Sequence, residues 1–268
     1  MNCLNRERNE HTCLVFFDIS KAFDKVWHRG LISKLKSYGF DGSVLLFLEN
    51  YIANREQSVV VNNNNSSFRY TTAGVPQGSV LGPFLFLIYI NDIAENLISL
   101  ARLFADDTSL LYSSKRINDI EMVINADLDK IYVWSQKWIV SFNPSKTDVL
   151  VISNRPTSDL DLRFGNKRLN STQCHKHLGV TFNSEGKWSD HVNNICTSAL
   201  TQVNVLRKLK YILSRSALNK IYLTFILPLL EYACELWDGC NESESEQLDK
   251  IQYQASRIVT GLPLFSSI

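Results

Sequence analysis

Long apolar runs are missing from the sequence, and this absence excludes an ordinary membrane-spanning helix. The apolar run at residues 80–90 is too short, and the run at residues 221–237 is interrupted by Pro228 and two glutamates. A spanning helix needs about 20 consecutive apolar residues. The chain also opens without an apolar signal segment. We therefore expect an intracellular protein, nuclear or cytoplasmic, that is neither secreted nor held in a membrane.

Cysteines are few, and their spacing is irregular. The six cysteines form no repeating framework, so we expect reduced thiols rather than a disulfide scaffold. Some of them lie near histidines between residues 174 and 196, but that spacing matches no common zinc pattern. A disulfide-rich fold and a familiar zinc module are therefore not indicated.

A strong net charge is also absent. The formal net charge is only +1, so the molecule as a whole does not attract nucleic acid by bulk charge. Residues 141–230 nevertheless carry twelve Lys and Arg against five Asp and Glu. Both a local nucleic-acid face and an ordinary solvated surface fit this distribution.

Two adjacent carboxylates, Asp106 and Asp107, interrupt the apolar stretch at residues 103–111. The apolar runs on either side predict two strands, so the acidic pair falls at the tip of a hairpin. Neighbouring carboxylates repel each other, and a divalent ion such as Mg²⁺, which takes hard oxygen ligands, would compensate them. A solvated polar turn is the simpler alternative for an isolated Asp-Asp pair.

A further carboxylate, Asp18, ends a strand of buried type at residues 13–17. Carboxylates from separated strands suit two metal ions roughly 3.5–4 Å apart, which activate an attacking oxygen and stabilise a leaving oxygen in phosphoryl transfer. A phospho-acceptor receiver domain also uses Asp and Lys residues. That fold needs alternating parallel strands and helices, however, whereas this acidic pair is predicted in an antiparallel hairpin.

The remaining pattern predicts a mixed α/β chain that becomes all-helical near Lys187. Asp41 is expected to cap the helix predicted at residues 44–52. Predicted helices cover residues 31–38, 44–52, 84–97, 117–140, 189–211, 215–237 (interrupted at Pro228) and 243–260. Predicted strands cover residues 57–61, 68–72, 149–152 and 177–182, with a polar turn at 62–67 and a further hairpin between 155 and 170.

Five motifs, in order and at matching spacing, resemble those of reverse transcriptases. The residues in these motifs are most similar to those of non-LTR (LINE-like) retrotransposons of the jockey type, and the resemblance covers about residues 13 to 182. The motifs are Asp18-Ile-Ser-Lys-Ala-Phe-Asp-Lys-Val-Trp-His28, Gly74-Val-Pro-Gln-Gly-Ser-Val-Leu-Gly-Pro83, Phe104-Ala-Asp-Asp107, Asn143-Pro-Ser-Lys-Thr147 and His177-Leu-Gly-Val180.

The resemblance implies a mixed α/β (α+β) fold. A polymerase palm, with an antiparallel sheet flanked by helices and residual fingers elements, would occupy residues 1–187, and an all-helical thumb-like region would occupy residues 188–268. The implied activity is RNA-directed DNA polymerisation, a nucleotidyl transfer with two Mg²⁺ ions or with Mn²⁺ instead. The implied partners are an RNA template, a DNA primer and dNTPs.

Individual roles also follow from the resemblance. Asp18 and Asp106 would bind the two metals, with Asp107 as a supporting ligand and the Ile19 carbonyl completing a coordination shell. Lys146 would donate a proton to the pyrophosphate leaving group; a solvated Lys at a strand start is the alternative. Phe23 would favour deoxynucleotides, because its ring would clash with a ribose 2′-hydroxyl; plain core packing is the alternative. Gln77 and Gly78 would contact the nucleotide and template. The primer end would be gripped by His177, Leu178, Gly179 and Val180.

Only 17 residues precede Asp18, so the resemblance implies that most of the family's fingers region is missing from this chain. Basic residues of the fingers hold the nucleotide triphosphate in this family. A non-catalytic nucleic-acid-binding remnant, with metal ligands but an incomplete triphosphate pocket, is therefore the alternative function.

Overall fold

A computed structural model describes residues 10–262. The chain forms two compact units, which divide between Thr172 and Gln173. Each unit has apolar cores of its own, and each is described separately. The hairpin at residues 174–183 belongs to the second unit, although the composition changes only near Lys187. The assignment of residues 1–187 and 188–268 as palm and thumb-like domains stays a prediction.

The first unit is built on a five-stranded sheet with the order β11 (Asn170–Ser171), β8 (Asp148–Ile152), β1 (His11–Phe17), β7 (Asp107–Ser114) and β6 (Leu100–Phe104). Its neighbours are antiparallel except for β11 and β8, which are parallel. The predicted antiparallel sheet flanked by helices is confirmed, with this parallel edge pair as a departure. The elements of the unit in chain order are β1 (His11–Phe17), α1 (His28–Ser37), α2 (Gly42–Ile52), β2 (Glu56–Gln57), β3 (Val60–Val61), β4 (Asn64–Asn65), β5 (Arg69–Tyr70), α3 (Leu81–Ile90), a 3₁₀ helix (Asn91–Ala94), β6 (Leu100–Phe104), β7 (Asp107–Ser114), α4 (Ile117–Trp138), β8 (Asp148–Ile152), β9 (Arg163–Phe164), β10 (Lys167–Arg168) and β11 (Asn170–Ser171).

Strand β1 lies at the centre of the sheet because it is apolar on both faces. Alternate residues of a strand point to one face, and Cys13, Val15 and Phe17 are all buried against the same core. Helix α4 covers that face with residues spaced four apart, among them Ile120 and Ile124. Residues of β1 such as Phe16 therefore point away from α4.

A second core in this unit joins α1, α2 and α3. Helix α3 begins at Leu81, earlier than predicted, because Pro83 is tolerated in a first turn, where its missing N–H would have no helical partner. The helix ends at Ile90, and the predicted continuation to residue 97 is wrong because the chain turns into a 3₁₀ helix. Asp41 precedes α2 as expected, but its side chain makes no capping hydrogen bond.

The predicted hairpin at residues 57–72 is confirmed, with shorter strands and a tighter turn. β2 pairs with β5, and β3 pairs with β4. The turn consists of Asn62 and Asn63 alone, both with positive φ (49° and 63°). Asn tolerates the left-handed conformation that a two-residue hairpin turn requires. The predicted six-residue turn therefore gives way to a two-residue turn.

The second unit is a hairpin followed by helices. Its elements are β12 (Cys174–His177), β13 (Val180–Asn183), α5 (Ser189–Leu209), α6 (Arg215–Ile221), a π-helical turn (Tyr222–Ile226), α7 (Leu227–Glu231), α8 (Cys234–Trp237) and α9 (Glu242–Thr260). The helical character predicted after residue 189 is confirmed. The interruption predicted at Pro228 within residues 215–237 is confirmed, because this proline lies in the first turn of a new helix, and a further break that was not predicted occurs at Ala233, which has a positive φ of 54°.

The helices of both units are short or amphipathic. Helix α3 is strongly apolar, but it has only 10 residues, about half of what a membrane-spanning helix needs. Within residues 10–262, no helix combines the length and the apolar character needed to cross a bilayer. The cellular location stays a prediction.

Candidate active site

The register of β1 and β7 brings two acidic residues together at one end of the sheet. The pairing runs to Phe17 opposite Thr108. Asp18 follows Phe17 directly, and Asp107 precedes Thr108, so the same register sets Asp18 opposite Asp107. Directly opposed residues of an antiparallel pair point to the same face. Since Phe17 points toward α4, both carboxylates belong to the face that α4 does not cover.

Asp106 lies in the turn that joins β6 to β7. Phe104 pairs with Asp107, so the turn consists of Ala105 and Asp106 only. Ala105 has a φ of 51°, in the left-handed region that residues with a Cβ rarely adopt. Such strain is typical of positions where a side chain must be held in a set place. Asp106 and Asp107 are both exposed, and the predicted hairpin with an acidic tip is confirmed.

The three carboxylates are not engaged by any other side chain that the structure describes. Within residues 10–262, the side chains of Asp18, Asp106 and Asp107 form neither ion pairs nor hydrogen bonds. That part of the chain also contains no group of three or more His, Cys, Asp or Glu side chains arranged to hold a metal ion. The backbone thus aligns the three residues at one end of the sheet without gathering their carboxylates into a closed metal site.

An isolated β-bridge fixes the direction of the Ile19 carbonyl. Ile19 forms an isolated antiparallel bridge with Phe142. The hydrogen bonds of this bridge belong to its neighbours: the Ser20 N–H donates to Ser141 O (2.8 Å), and the Asn143 N–H donates to Asp18 O (2.9 Å). In such a pair the central residue's own N–H and carbonyl point away from the partner segment. The Ile19 carbonyl is therefore directed away from residues 141–143.

Lys146 lies on the other side of β1, at the same end of the sheet as Asp18. The pairing of β1 with β8 runs to Phe16 opposite Asp148, and Lys146 is two residues before Asp148. A tight turn holds it, because the Lys146 N–H donates to Asn143 O (3.0 Å). Its side chain is exposed. The structure therefore brings Lys146 and the three acidic residues to one end of a single sheet.

The glycine- and proline-rich bend at residues 74–83 is fastened to the segment that follows Asp18. The Gly74 N–H donates to Val26 O, and the Val75 N–H donates to Phe23 O, both at 2.8 Å. The amide of Gln77 donates to Asp24 Oδ1 (2.8 Å). Gln77 and Phe23 thus lie along the same contact between two segments, although they are far apart in sequence.

Glycine is required at one point of this contact and only favoured at another. Gly74 has a φ of 95°, and a Cβ there would lie 2.8 Å from Asp24 O. Gly78 also has a positive φ (74°), but a Cβ on it would meet open space. Gly74 therefore sets how closely the bend approaches the Asp18 segment, whereas Gly78 leaves its surface open to a ligand.

Phe23 is half-buried, and one face of its ring is engaged. Its ring centroid lies 4.7 Å from that of Phe86. Both the core packing and the sugar-sensing role fit this position, because packing on Phe86 also fixes the ring against a ligand.

Sequence reasoning missed three cations that line a cleft beside this contact. The cleft has a volume of about 850 Å³ and runs from the Lys21–Lys25 turn to residues 70–77. Lys21, Lys25 and Arg55 line it and have no ion-pair partner within the described residues, although Asp24 and Glu56 line it too. Two of the three lie inside the Asp18 motif, so the sequence carried a signal for them.

The predicted primer-grip residues lie in the second unit and form a hairpin turn. His177 pairs with Val180, so Leu178 and Gly179 are the turn, with φ values of 46° and 82°. The strand predicted through residues 177–182 is therefore divided. The Tyr232 hydroxyl donates to Leu178 O (2.9 Å), and a Cβ on Gly179 would lie 2.9 Å from the Tyr232 ring.

The sequence profile described as reverse transcriptase (RNA-dependent DNA polymerase) matches residues 1–182. The chain belongs to the reverse transcriptase family. The resemblance inferred from the five motifs is thereby confirmed, and the matched residues include all three acidic positions of the sheet end.

Proteins of mobile elements are among the relatives of this reverse transcriptase chain. It is 30% identical over 271 residues to the probable RNA-directed DNA polymerase from transposon BS of Drosophila melanogaster, covering 96% of this chain and 30% of that protein. It is 29% identical to the RNA-directed DNA polymerase from mobile element jockey of the same species, covering 97% and 29%. The chain thus spans about 30% of the length of these relatives.

Among solved structures, apo telomerase from Candida tropicalis resembles this reverse transcriptase chain with a TM-score of 0.50. The two are 12% identical, and the match covers 97% of this chain and 44% of the other. At that identity the likeness concerns the fold alone. It agrees with the predicted α/β palm-type fold followed by helices.

Proposed function

We propose that this chain is the polymerase portion of a mobile-element reverse transcriptase and that it transfers dNTPs to a DNA primer on an RNA template. One observation carries the proposal: the strand register aligns Asp18, Asp107 and the Asp106 turn at one sheet end, and these side chains form no ion pair within residues 10–262. Carboxylates from separate strands are what nucleotidyl transfer with metal ions requires.

The donor set suits Mg²⁺, with Mn²⁺ as an alternative. Asp18 and Asp106 would hold the ions, Asp107 would support them, and the Ile19 carbonyl would complete a shell of hard oxygen ligands. The fit rests on this oxygen chemistry, on the lack of ion pairs to the three carboxylates in the described part of the chain and on the free direction of the Ile19 carbonyl. When bound, such ions lower the charge barrier between the attacking primer hydroxyl and the triphosphate.

The remaining residues of the first unit would orient the reactants and move a proton. Gln77 and Gly78 would contact the nucleotide and template, because the Gly78 surface is open and the Gln77 amide is exposed. Phe23, held by Phe86, would exclude a ribose 2′-hydroxyl. Lys146 would give a proton to the departing pyrophosphate, for which its exposed ammonium at the same sheet end is suited.

In the second unit, residues 177–180 would grip the primer end. The support for this role is a rigid turn: Leu178 and Gly179 are both in the left-handed region, and Tyr232 fixes the Leu178 carbonyl. A turn held in this way can present backbone groups to a nucleic-acid strand with little loss of freedom on binding.

Primer extension on an RNA template with Mg²⁺ tests the proposal. Asp106→Asn should lower extension about 10²–10³-fold, the scale expected when one charge-stabilising group is lost. Asp159→Asn is the matched control, because Asp159 is an exposed aspartate in a loop and should leave extension unchanged. If extension survives in Asp106→Asn, the assignment of the sheet end is wrong.

A non-catalytic nucleic-acid-binding remnant is the second candidate function. The observation that favours it is that the acidic side chains are not gathered into a metal-holding group within residues 10–262. This candidate predicts RNA binding by the 268-residue chain that weakens as salt rises, together with extension at background level both in the wild type and in Asp106→Asn. Extension that depends on Asp106 would reject it.

A further inference from the structure

The second unit contains a small cavity beside the Leu178-Gly179 turn, with several polar side chains in an otherwise largely apolar wall. Its volume is about 140 Å³, far above the roughly 10–15 Å³ that one water molecule needs, so a tetrahedral oxyanion fits. None of the described residues that line it is acidic. Strand β12, strand β13 and one face of α5 form most of the wall, and its polar side chains are Lys176, Thr181, His191, Asn194, Ser198 and Tyr232.

His191 lines this cavity and carries a donor without an acceptor. The residue is 3% exposed and lies in the first turn of α5. The Thr181 N–H donates to His191 Nδ1 (3.3 Å), so Nδ1 is the acceptor nitrogen and the neutral ring carries its proton on Nε2. Nε2 has no hydrogen-bond partner within residues 10–262. A buried polar group left unpaired is uncommon in proteins, and it points to a missing partner.

Charge around the cavity favours an anion as that partner. Burial, together with the nearby Lys176 ammonium, lowers the pKa of His191 below its ordinary value. Lys176 forms no ion pair within the described residues. Asp190, which precedes His191 in the chain, does not line the cavity, and its carboxylate accepts a hydrogen bond from Asn183 (2.8 Å). The cavity therefore combines a cation and an unsatisfied N–H without a carboxylate to balance them.

Two further side chains border the space that an anion would fill. The Asn194 amide donates one hydrogen to Thr181 Oγ1 (3.2 Å) and has a second amide hydrogen. The Tyr232 hydroxyl is already used by Leu178 O and serves as a wall. An oxyanion in the cavity could thus accept hydrogen bonds from several directions, as bound phosphates do.

We propose that this cavity binds a phosphate-type oxyanion, with Lys176 Nζ and the His191 Nε2–H as its principal donors. Free phosphate presents this chemistry, and so does the phosphodiester backbone of a nucleic acid. Binding of a nucleic-acid backbone rests on the function proposed above, whereas binding of free phosphate does not.

The test is an NMR titration of the His191 ring in the labelled 268-residue chain, with inorganic phosphate in one arm and an RNA template–DNA primer duplex in the other. A bound anion should shift the His191 ring signals in a saturable way and raise its pKa, since a nearby negative charge favours imidazolium. Lys176→Gln should weaken binding at least about tenfold, because it removes the charged donor. Lys208→Gln removes the same charge from an exposed position of α5 and should leave binding unchanged.

A second pair of variants isolates the His191 donor. His191→Gln and His191→Phe both lose the ring nitrogen that accepts from the Thr181 N–H, but only the glutamine keeps a donor, so phosphate should bind more tightly to His191→Gln. If both His191 variants fail to fold, the comparison of Lys176→Gln with Lys208→Gln still tests the proposal. Absence of a saturable His191 shift in both arms, or equal weakening by Lys176→Gln and Lys208→Gln, would overturn the inference.

The two arms also separate this inference from the proposed function. A shift with phosphate alone assigns the cavity to a free anion, and a shift with the duplex at equal or lower concentration assigns it to the nucleic-acid backbone; both support the site. A chain that binds phosphate at His191 but extends no primer would reject the polymerase proposal and leave this inference standing.

Discussion

The ammonium of Lys34 and the carboxylate of Asp92 form an ion pair inside the first unit. Lys34 is 3% exposed, and its Nζ lies 4.0 Å from the ring centroid of Trp138 and 4.9 Å from that of Trp134. Burial lowers the pKa of Lys34, whereas the hydrogen bond and the charge of Asp92 raise it, and the balance leaves the pKa below its ordinary value. This pair joins α1 to the 3₁₀ helix that follows α3.

Removing the lysine should strongly destabilise the protein. Lys34→Ala leaves Asp92 partly buried without its cation, and breaking such a pair costs roughly 3–5 kcal/mol. Lys36→Ala is the control, because Lys36 makes an exposed ion pair with Glu49 that should contribute less than about 1 kcal/mol. Urea unfolding of the two variants measures the difference. Equal losses would show that the Lys34–Asp92 pair is not a special contact.

Asp127 should make folding stability depend on acid. Burial raises the pKa of this carboxyl, but hydrogen bonds from Ser99, the Ile98 N–H and Lys130 outweigh it and leave the pKa below the ordinary 3.8. A folded-state pKa below the unfolded value means that the stabilisation is complete above about pH 3.8 and is lost as the pH falls through the folded-state pKa. Asp127→Asn should be less stable at neutral pH and should lose less on acidification. Urea unfolding from neutral pH into the acid range below the ordinary Asp pKa checks this, and parallel curves for both proteins would contradict it.

Phe23→Ala should relax the choice of sugar. Removing the ring that packs on Phe86 opens space at the nucleotide side, so ribonucleotide incorporation should rise relative to deoxynucleotide incorporation. The ratio of kcat/KM for the two substrates, in a form of the protein that extends primers, is the measurement. Phe23→Tyr keeps the ring and should keep the discrimination. An unchanged ratio in Phe23→Ala, alongside weaker folding, would assign Phe23 to packing only.

The cations of the 850 Å³ cleft should strengthen RNA binding by neutralising phosphates. Lys21→Gln, Lys25→Gln and Arg55→Gln should each weaken binding to primed RNA. Each should also make the plot of log affinity against log salt shallower, by about 0.7–0.9 for every phosphate that is no longer neutralised. Lys115→Gln is the control, because Lys115 is exposed and follows the far end of β7. Salt slopes that match the wild type in all three cleft variants would show that nucleic acid does not enter this cleft.

Local patterns in the sequence predicted much of the first unit. The strand before Asp18, the acidic hairpin and the long helix α4 each follow from a short run of residues, so their positions could be predicted. The placement of Lys146 beside Asp18 could not, because it depends on a strand register between distant segments. The parallel pairing of β11 was missed for the same reason.

The sequence also failed to predict two side chains whose surroundings are unusual for their residue type. Lys34 was not predicted to be buried, because lysines are ordinarily solvated. Its position between the apolar residues Leu31 and Leu35 of α1 was the available signal. His191 was weighed only as a member of a cysteine and histidine group whose spacing fits no common zinc pattern, and only the structure showed that its Nε2 lacks a partner within residues 10–262.

The central position of β1 has a consequence for synthesis of the chain on the ribosome. β1 pairs with β7 on one side and with β8 on the other, so the strand that delivers Asp18 waits for partners that emerge much later. A nascent chain that ends before Asp148 has exposed the acidic hairpin but still lacks one neighbour of β1. Until β8 emerges, one edge of an apolar strand stays open to pairing with other chains. The arrangement that assembles the sheet end thus also leaves the half-made protein with an unpaired apolar strand edge.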